Sequence, residues 1–267
     1  MDHDISNLIT YINSMSVTLY DKCWWIDKVP ADVNTVVDFG CAGGDLAFMI
    51  NRIMPGRFTY VGVDNSPTML NLARHNFSVA EPDFPFMFFD NLSEAIRSIN
   101  PRKTVFVMNS VIHEIFTYLD ADETDELFKL IFNSDFEYIA IRDMHDFGDN
   151  WELPSWVEDH IKMIKMTKYA QKWDEFMSRY EAESLCGALN EFLLKYRYDA
   201  NWDRESREIY LWDWRSFVVN KYGRLLYHID FENDFYIPYI KNKILEDFGF
   251  IYPRNTHKKV LLKNAKF

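Results

Sequence analysis

The chain has 267 residues, 48% hydrophobic and 17% aromatic, with only 9 Gly and 9 Pro; this excludes a disordered protein and allows a large core, in one domain or in one domain with an elaborate insertion. Lys and Arg number 29 against 41 Asp and Glu, a net charge of −12, which opposes nonspecific attraction to nucleic acid or anionic lipid without forbidding a local basic patch. Cys23, Cys41 and Cys186 stand far apart and outside any Cys-x-x-Cys. Free thiols in a reducing cytosol are expected, and with no leader pattern and no apolar run long enough to span a membrane, the expectation is a cytoplasmic protein.

Apolar residues at Leu8, Ile9, Ile12 and Met15 and again at Leu19, Cys23, Trp24 and Ile26 predict two short helices before the first strand. Thr35, Val36 and Val37 then lead into Asp38, a small-residue turn at Gly40, Ala42, Gly43 and Gly44, and a helical pattern from Leu46. A buried strand, a tight turn and a helix start make a cradle for a nucleotide-like ligand, because small residues let a ligand approach the backbone and a helix start offers unpaired N–H groups. A dinucleotide fingerprint would place Ala42 and Asp45 at its second and third glycines, and no Gly-Lys-Ser/Thr ending marks a P-loop. The next strand, Phe58 to Val63, ends at Asp64, 24 residues beyond Gly40, where an acid can accept both hydroxyls of a ribose. A third apolar run, Phe86 to Phe89, also ends in an acid, Asp90. Taken singly, each could be an ordinary βα unit with an acid capping the following helix.

In order, these three stretches resemble the motifs of class I S-adenosylmethionine-dependent methyltransferases. Asp38, Gly40, Ala42 and Gly44 stand at the positions of the family's D-x-G-x-G-x-G, with Ala42 for the middle glycine; Asp64, Ser66, Met69 and Leu70 resemble the second motif, and Asp90 the acid that meets the adenine amino group. The resemblance implies S-adenosyl-L-methionine as cofactor, with Asp38, Gly40, Cys41, Ala42, Gly44, Asp64, Asn65, Met69, Asp90, Asn91 and Asn109 around it. It also implies N-terminal helices lying over the cofactor, with Tyr20, Lys22 and Trp24 as candidates for a pocket wall, although a packing helix with a snorkelling lysine is the more ordinary reading of the residues.

Further along, Pro67 to His75 predicts a helix capped by Ser66, and Asn91 to Ile99 another with Ser93 as its cap. Thr104 to Met108 is apolar throughout, the mark of a central parallel strand. It is followed by Asn109, His113 and Glu114 at the strand end that faces the crevice of an open α/β sheet. This stretch resembles the fourth motif, without the Asn-Pro-Pro-Tyr of nucleic-acid amino methyltransferases. Methyl transfer chiefly needs alignment, and a base only when the nucleophile must lose a proton. His113 and Glu114 are the first catalytic candidates, though both also suit a helix start. Asp120 to Phe132 predicts an amphipathic helix, and Phe136 to Ile141 a fifth strand ending in Arg142, Asp143 and His145. Asp143 and His145 are candidates to position or deprotonate an acceptor, and Arg142 to clamp a carboxylate or phosphate. The spacing of the His and Asp residues here specifies no metal.

Strand signals then fade from Phe147 to Tyr222, where six of the eight tryptophans fall. A helical insertion serving as lid or substrate region is expected, starting near Pro154 and Ser155 and with a second helix over Glu183 to Tyr196. Lys162, Lys165, Lys168 and Lys172 recur at helical steps as a basic stripe, and Tyr196, Arg197, Trp202 and Arg204 are the substrate-binding candidates. Leu225 to Phe231, Tyr236 to Phe248 and His257 to Lys263 predict strand, helix and strand; the five basic residues from Arg254 onward suit an anion site or, more simply, a lysine-guarded edge.

The expected fold is α/β: a Rossmann-like, seven-stranded, mostly parallel sheet with an antiparallel last strand and a helical insertion after the fifth strand. The expected division is 1–34, N-terminal helices; 35–146, cofactor-binding core; 147–222, aromatic-rich insertion; and 223–267, strands and helix completing the sheet. The expected activity is methyl transfer to a small-molecule acceptor. The alternatives are an RNA or protein methyltransferase working through the Lys162–Lys172 stripe, with nucleic acid disfavoured by charge, and a noncatalytic S-adenosylmethionine-binding protein. Neither the acceptor atom nor the oligomeric state is legible.

Overall fold

The computed structural model of the protein describes residues 18–144, 155–179, 185–196, 227–235, 238–253 and 257–264. A single helical turn, α1 (Leu19–Lys22), precedes β1 (Thr35–Phe39), α2 (Asp45–Ile53), β2 (Thr59–Val63), α3 (Pro67–Ala80), β3 (Phe86–Phe89) and α4 (Leu92–Arg97). After a 3₁₀ turn come β4 (Thr104–Asn109), α5 (Ile112–Tyr118), α6 (Ala121–Asn133) and β5 (Tyr138–Met144). Helices α7 (Ser155–Lys165), α8 (Ala170–Arg179) and α9 (Leu185–Lys195) follow, then β6 (Tyr227–Phe235), α10 (Pro238–Phe248) and β7 (His257–Asn264).

Seven strands form one sheet in the order β3-β2-β1-β4-β5-β7-β6. Strands β1 to β5 pair in parallel, and β7 runs antiparallel to both β5 and β6. The last strand is therefore the antiparallel one, as the sequence led us to expect. Every residue of β4 is buried, because a parallel strand at the centre has helices on both faces. One face carries Val37, Phe106, Ile139 and Ile141 against Phe128 and Ile131 of α6. The other carries Val36, Val105 and Ala140 against α2, Phe77 of α3 and the N-terminal residues Cys23, Trp25 and Ile26. Chain order reverses between β1 and β4, and a doubly wound sheet opens its crevice at that point.

Several local expectations shift for identifiable reasons. Helix α3 runs on to Ala80 because Leu70, Ala73 and Phe77 keep one buried face. The side chain that caps α4 is that of Asn91, which accepts from Glu94 N at 3.2 Å; Ser93 lies inside the helix. Strand β5 extends through Arg142 and Asp143 to Met144 because β7 pairs with it as far as His257. Strand β7 is interior, since β6 lies outside it, so its lysines do not guard an edge: Lys258 is buried, Lys259 reaches Asp21 and Lys263 lies over the Tyr138 ring. The lysine stripe is not one helix face. Helix α7 ends at Lys165 and α8 begins at Ala170; Lys162 pairs with Asp159, Lys165 with Asp174, and Lys168 lies over Tyr169. Helices α7 to α10 share a separate core that includes Val157, Trp173, Phe192 and Phe248. The first expected N-terminal helix lies outside the described residues.

Candidate functional site

The turn after β1 is built by conformation before chemistry. Gly40 and Gly44 both have φ +77°, and a Cβ on Gly44 would lie 2.9 Å from the Phe77 ring. Glycine there allows both the left-handed backbone and the close packing of α3 beneath the turn. Ala42 is also left-handed, with φ 46°. Its N–H donates to Asp64 Oδ2 at 2.9 Å, while Asp64 Oδ1 accepts from Ser66 N at 2.9 Å. Asp64 thus ties the ends of β1 and β2 together.

Above this turn lies a crevice of about 290 Å³. Of the cofactor candidates, Asp38, Gly40, Cys41, Ala42, Met69 and Asn109 line it; Gly44, Asp64, Asn65, Asp90 and Asn91 lie outside its lining. Asp64 is half-buried, and Asn65, Asp90 and Asn91 are exposed along the ends of β2 and β3. Leu72 and Asn76 line the crevice as well; with Met69 they fall at i, i+3 and i+7 of α3, a helical spacing that the sequence carried. Lys22 and Leu19 form the wall from α1, whereas Tyr20 is exposed.

The polar groups of the crevice are held under unusual conditions. Lys22 is 3% exposed. Burial first, and then the Arg142 guanidinium, lower its pKa to about 7, against the opposing pull of Asp38, Asp143 and Asp45. Asp38 accepts the Tyr60 hydroxyl at 2.6 Å; burial raises its pKa to about 6 although that hydrogen bond and Lys22 both oppose the rise. Asn109 is buried, donates to the Lys22 carbonyl at 3.4 Å and leaves Oδ1 without a partner among the described residues. Burial pushes the Cys41 thiol far above its ordinary pKa, so it is inert.

Beside Asn109 the chain turns through Ser110, at φ 58°, into α5. Val111 offers that helix no side-chain cap. Asp143 of β5 does so instead: Oδ2 accepts from Ile112 N at 2.6 Å and His113 N at 3.2 Å, while Oδ1 meets His113 Nδ1 at 2.7 Å. A carboxylate opposite Nδ1 fixes the proton there and makes Nε2 the basic nitrogen. Glu114 follows in the same first turn, half-buried. Arg142, expected to meet an acceptor, is 1% exposed and engaged within the protein, Nε donating to Asp21 at 2.7 Å and Nη1 to Ser110 Oγ at 3.0 Å. Tyr196 likewise is a core residue, 1% exposed, with its hydroxyl on Asp247 Oδ2 at 2.7 Å. His145, Arg197, Trp202 and Arg204 lie outside the described residues. Among the described residues no three His, Cys, Asp or Glu side chains are grouped as a metal site, and no helix is long and apolar enough to cross a membrane.

The sheet order, the glycine turn and the crevice at the strand ends define a Rossmann-like methyltransferase fold. Residues 36–134 match the family model described as "Methyltransferase domain". The family match and the fold support a class I S-adenosylmethionine-dependent methyltransferase, an enzyme with S-adenosylmethionine as its cofactor. Among solved structures it is similar to an O-methyltransferase family protein from Burkholderia thailandensis, at 14% identity and a TM-score of 0.52 over 98% of this chain and 61% of that one. A Pyrococcus horikoshii protein gives 13% identity and a TM-score of 0.47 over 95% and 91% of the two chains. Comparison with curated proteins gives no match.

The crevice fits this cofactor. The aminoacyl end of S-adenosylmethionine carries a carboxylate and an ammonium, and the crevice offers a buried cation, a buried carboxylate and an orphan amide oxygen.

Proposed function

We propose that this methyltransferase acts on a small molecule whose accepting atom carries a proton, with His113 as the base that removes it. The observation that carries this reading is the buried His113–Asp143 pair, joined at 2.7 Å between β5 and the first turn of α5, the helix that follows Asn109 of the crevice. When bound, S-adenosylmethionine supplies a methyl group on a sulfonium centre already activated by its charge. The work left to the chain is to hold that group, to align the acceptor and to take up a proton. Lys22 takes the aminoacyl carboxylate, and Asp38 with Asn109 Oδ1 takes the ammonium. Asp64 takes the ribose hydroxyls on the lone pairs left by Ala42 N and Ser66 N, since a carboxylate has about four acceptor sites. Asp90 and Asn91 flank the adenine. His113 Nε2 takes the proton that the acceptor loses, and Asp143 stabilises the resulting imidazolium. Helices α7 to α9 form the region over the acceptor.

A small acceptor is favoured over RNA because Lys162 and Lys165, the start of the basic stripe, are paired with Asp159 and Asp174. The test is S-adenosylhomocysteine release with size-fractionated cell extract as acceptor source. Release with the small-molecule fraction, lost by about a hundredfold or more in His113→Ala with S-adenosylhomocysteine affinity intact, is the expected result. Release with only the RNA or protein fraction, or an active His113→Ala enzyme, overturns the reading.

A further inference from the structure

We infer that Asp21 is a positioning residue for the cofactor, acting through Lys22: it seats the one-turn helix α1 so that the Lys22 ammonium enters the crevice in charged form. The inference rests on the assignment of Lys22 to the aminoacyl carboxylate made above.

Helix α1 is four residues long, and Thr18 gives it no side-chain cap. One helical turn is unfavourable by itself, so its orientation must come from tertiary contacts. The chain beyond it is anchored by Trp25 and Ile26 in the core, and by Arg57, which donates to the carbonyls of Ile26, Val29 and Pro30. These contacts hold the residues after the turn. Asp21, with Leu19 packed on the core and Asn109 on the Lys22 carbonyl, fixes the roll of the turn itself, which decides whether Lys22 faces the crevice or solvent.

The Asp21 side chain, one-third exposed, bridges two strands: Oδ2 accepts from Arg142 Nε of β5 at 2.7 Å, and Oδ1 pairs with Lys259 Nζ of β7. Arg142 and Lys259 stand directly opposite one another in the β5–β7 register. A single carboxylate thus pins α1 onto the strand pair, and Arg142, through Ser110 Oγ, extends the bridge to the turn after β4. Asn109, donating to the Lys22 carbonyl, holds the same turn from below. Asp21 also acts by charge. It is the largest influence opposing the desolvation of Arg142, and Arg142 is the charge that most disfavours protonated Lys22. Without Asp21, Arg142 loses the largest charge that opposes its own, and the lysine beside it sheds its proton more readily. Orientation and charge state fail together.

The experiment compares two ligands by calorimetry at pH 7.5: S-adenosylhomocysteine, which carries the carboxylate, and 5′-methylthioadenosine, which lacks the aminoacyl end. Asp21→Asn keeps the shape and removes the charge; the expected result is about a tenfold or greater loss of affinity for the first ligand, the equivalent of about one pKa unit at Lys22, and little change for the second. Lys22→Met should show the same selectivity. The double variant should lose no more than Lys22→Met alone, because the two residues act as a unit, and Asp21→Glu should recover part of the loss. Lys259→Gln removes only the more exposed arm of the bridge and should give a smaller loss confined to S-adenosylhomocysteine. Equal weakening of both ligands by Asp21→Asn, additivity with Lys22→Met, or unchanged affinity overturns the inference. Should Lys22→Met leave S-adenosylhomocysteine affinity intact, the carboxylate assignment fails. Should the wild-type protein bind neither ligand, the cofactor reading itself fails.

Discussion

Cofactor affinity should depend on pH in a way that two buried groups dictate, and the Lys22→Met variant isolates one limb of that dependence. Burial lowers the Lys22 pKa to about 7, with Arg142 adding to the effect and Asp38, Asp143 and Asp45 opposing it. The other basic neighbour, His257, is held well below its ordinary pKa by burial and by nearby Arg142 and His113, so it stays neutral across the window of interest. Only the protonated lysine attracts a carboxylate. Its contribution to affinity is complete below about pH 7 and is lost as pH rises through that value. At pH 8 about nine-tenths of Lys22 is neutral in the free protein, so the contribution of the lysine to S-adenosylhomocysteine affinity should be about tenfold smaller than at pH 6, or about 1.4 kcal/mol. A bound carboxylate holds the proton on Lys22, and binding at pH 8 should therefore take up about 0.9 proton. Calorimetry in buffers of different ionisation enthalpy measures that uptake directly. The ligand's own α-amino group also titrates near pH 8, but it does so in wild type and variant alike. Lys22→Met should bind more weakly at pH 6 and show an uptake smaller than that of wild type by about 0.9 proton. An unchanged proton uptake in that variant would refute the reasoning.

The acid limb belongs to Asp38, whose pKa burial raises to about 6. Its carboxylate, needed for the ammonium, is lost as pH falls through that value; Tyr60→Phe removes a hydrogen bond that opposes the rise and should move this limb to higher pH, read from the same titrations. Asp143→Asn should lower kcat by about a hundredfold or more with cofactor affinity retained, because the amide cannot enforce the histidine tautomer. Asp143→Ala should in addition lose about 1–3 kcal/mol of stability by stripping the α5 N–H groups of their acceptor, and wild-type turnover in the Asn variant would remove the base. Gly44→Ala should cost roughly 2–4 kcal/mol in urea unfolding, from its left-handed backbone and the contact with Phe77. Ala42→Gly should stay within about 1 kcal/mol of wild type, relief of strain offsetting the added chain entropy. An unshifted Gly44→Ala transition would show that the turn is not constrained as described.

The sheet was legible because its signals are local. The strand from Thr35, the glycine turn and the apolar run from Thr104 are each set by residues within one element, and a fully buried parallel strand leaves a continuous apolar mark. The crevice was legible where one motif builds it, at Asp38 to Ala42, and less so where separate elements meet. Leu72 and Asn76 follow Met69 by helical spacing and could have been found. The role of Tyr60 as the partner of Asp38 could not, because it depends on the lateral pairing of β1 with β2 rather than on distance along the chain. Arg142 illustrates the same limit in reverse. A strand-end arginine in sequence offers a clamp for a ligand; in three dimensions Asp21, 121 positions away, already occupies it. Tyr196 looked like a recognition residue because charged and aromatic residues crowd around it in sequence. Its neighbours in space are Asp247 and Phe248 of α10, which no local pattern announces.

Under the roles proposed for Lys22 and His113, the alternation of a single strand keeps binding and chemistry apart. Successive side chains on a strand point to opposite faces. Tyr138 and Ala140 of β5 pack with the N-terminal residues on one face, and Ile139 and Ile141 pack with α6 on the other. Extending the strand continues that division: Arg142 reaches α1 and the lysine of the crevice, and Asp143 reaches α5 and the histidine. Two adjacent charges of opposite sign thereby serve different elements without neutralising each other's function. The extension exists because β7 continues its pairing with β5 to His257, so the antiparallel last strand supports the site as well as closing the sheet. A one-residue slip in the β5 register would exchange the faces of Arg142 and Asp143 and disable both arrangements at once. The uninterrupted seven-residue pairing of β5 with β7, Tyr138 with Lys263 through Met144 with His257, is the feature that holds this register.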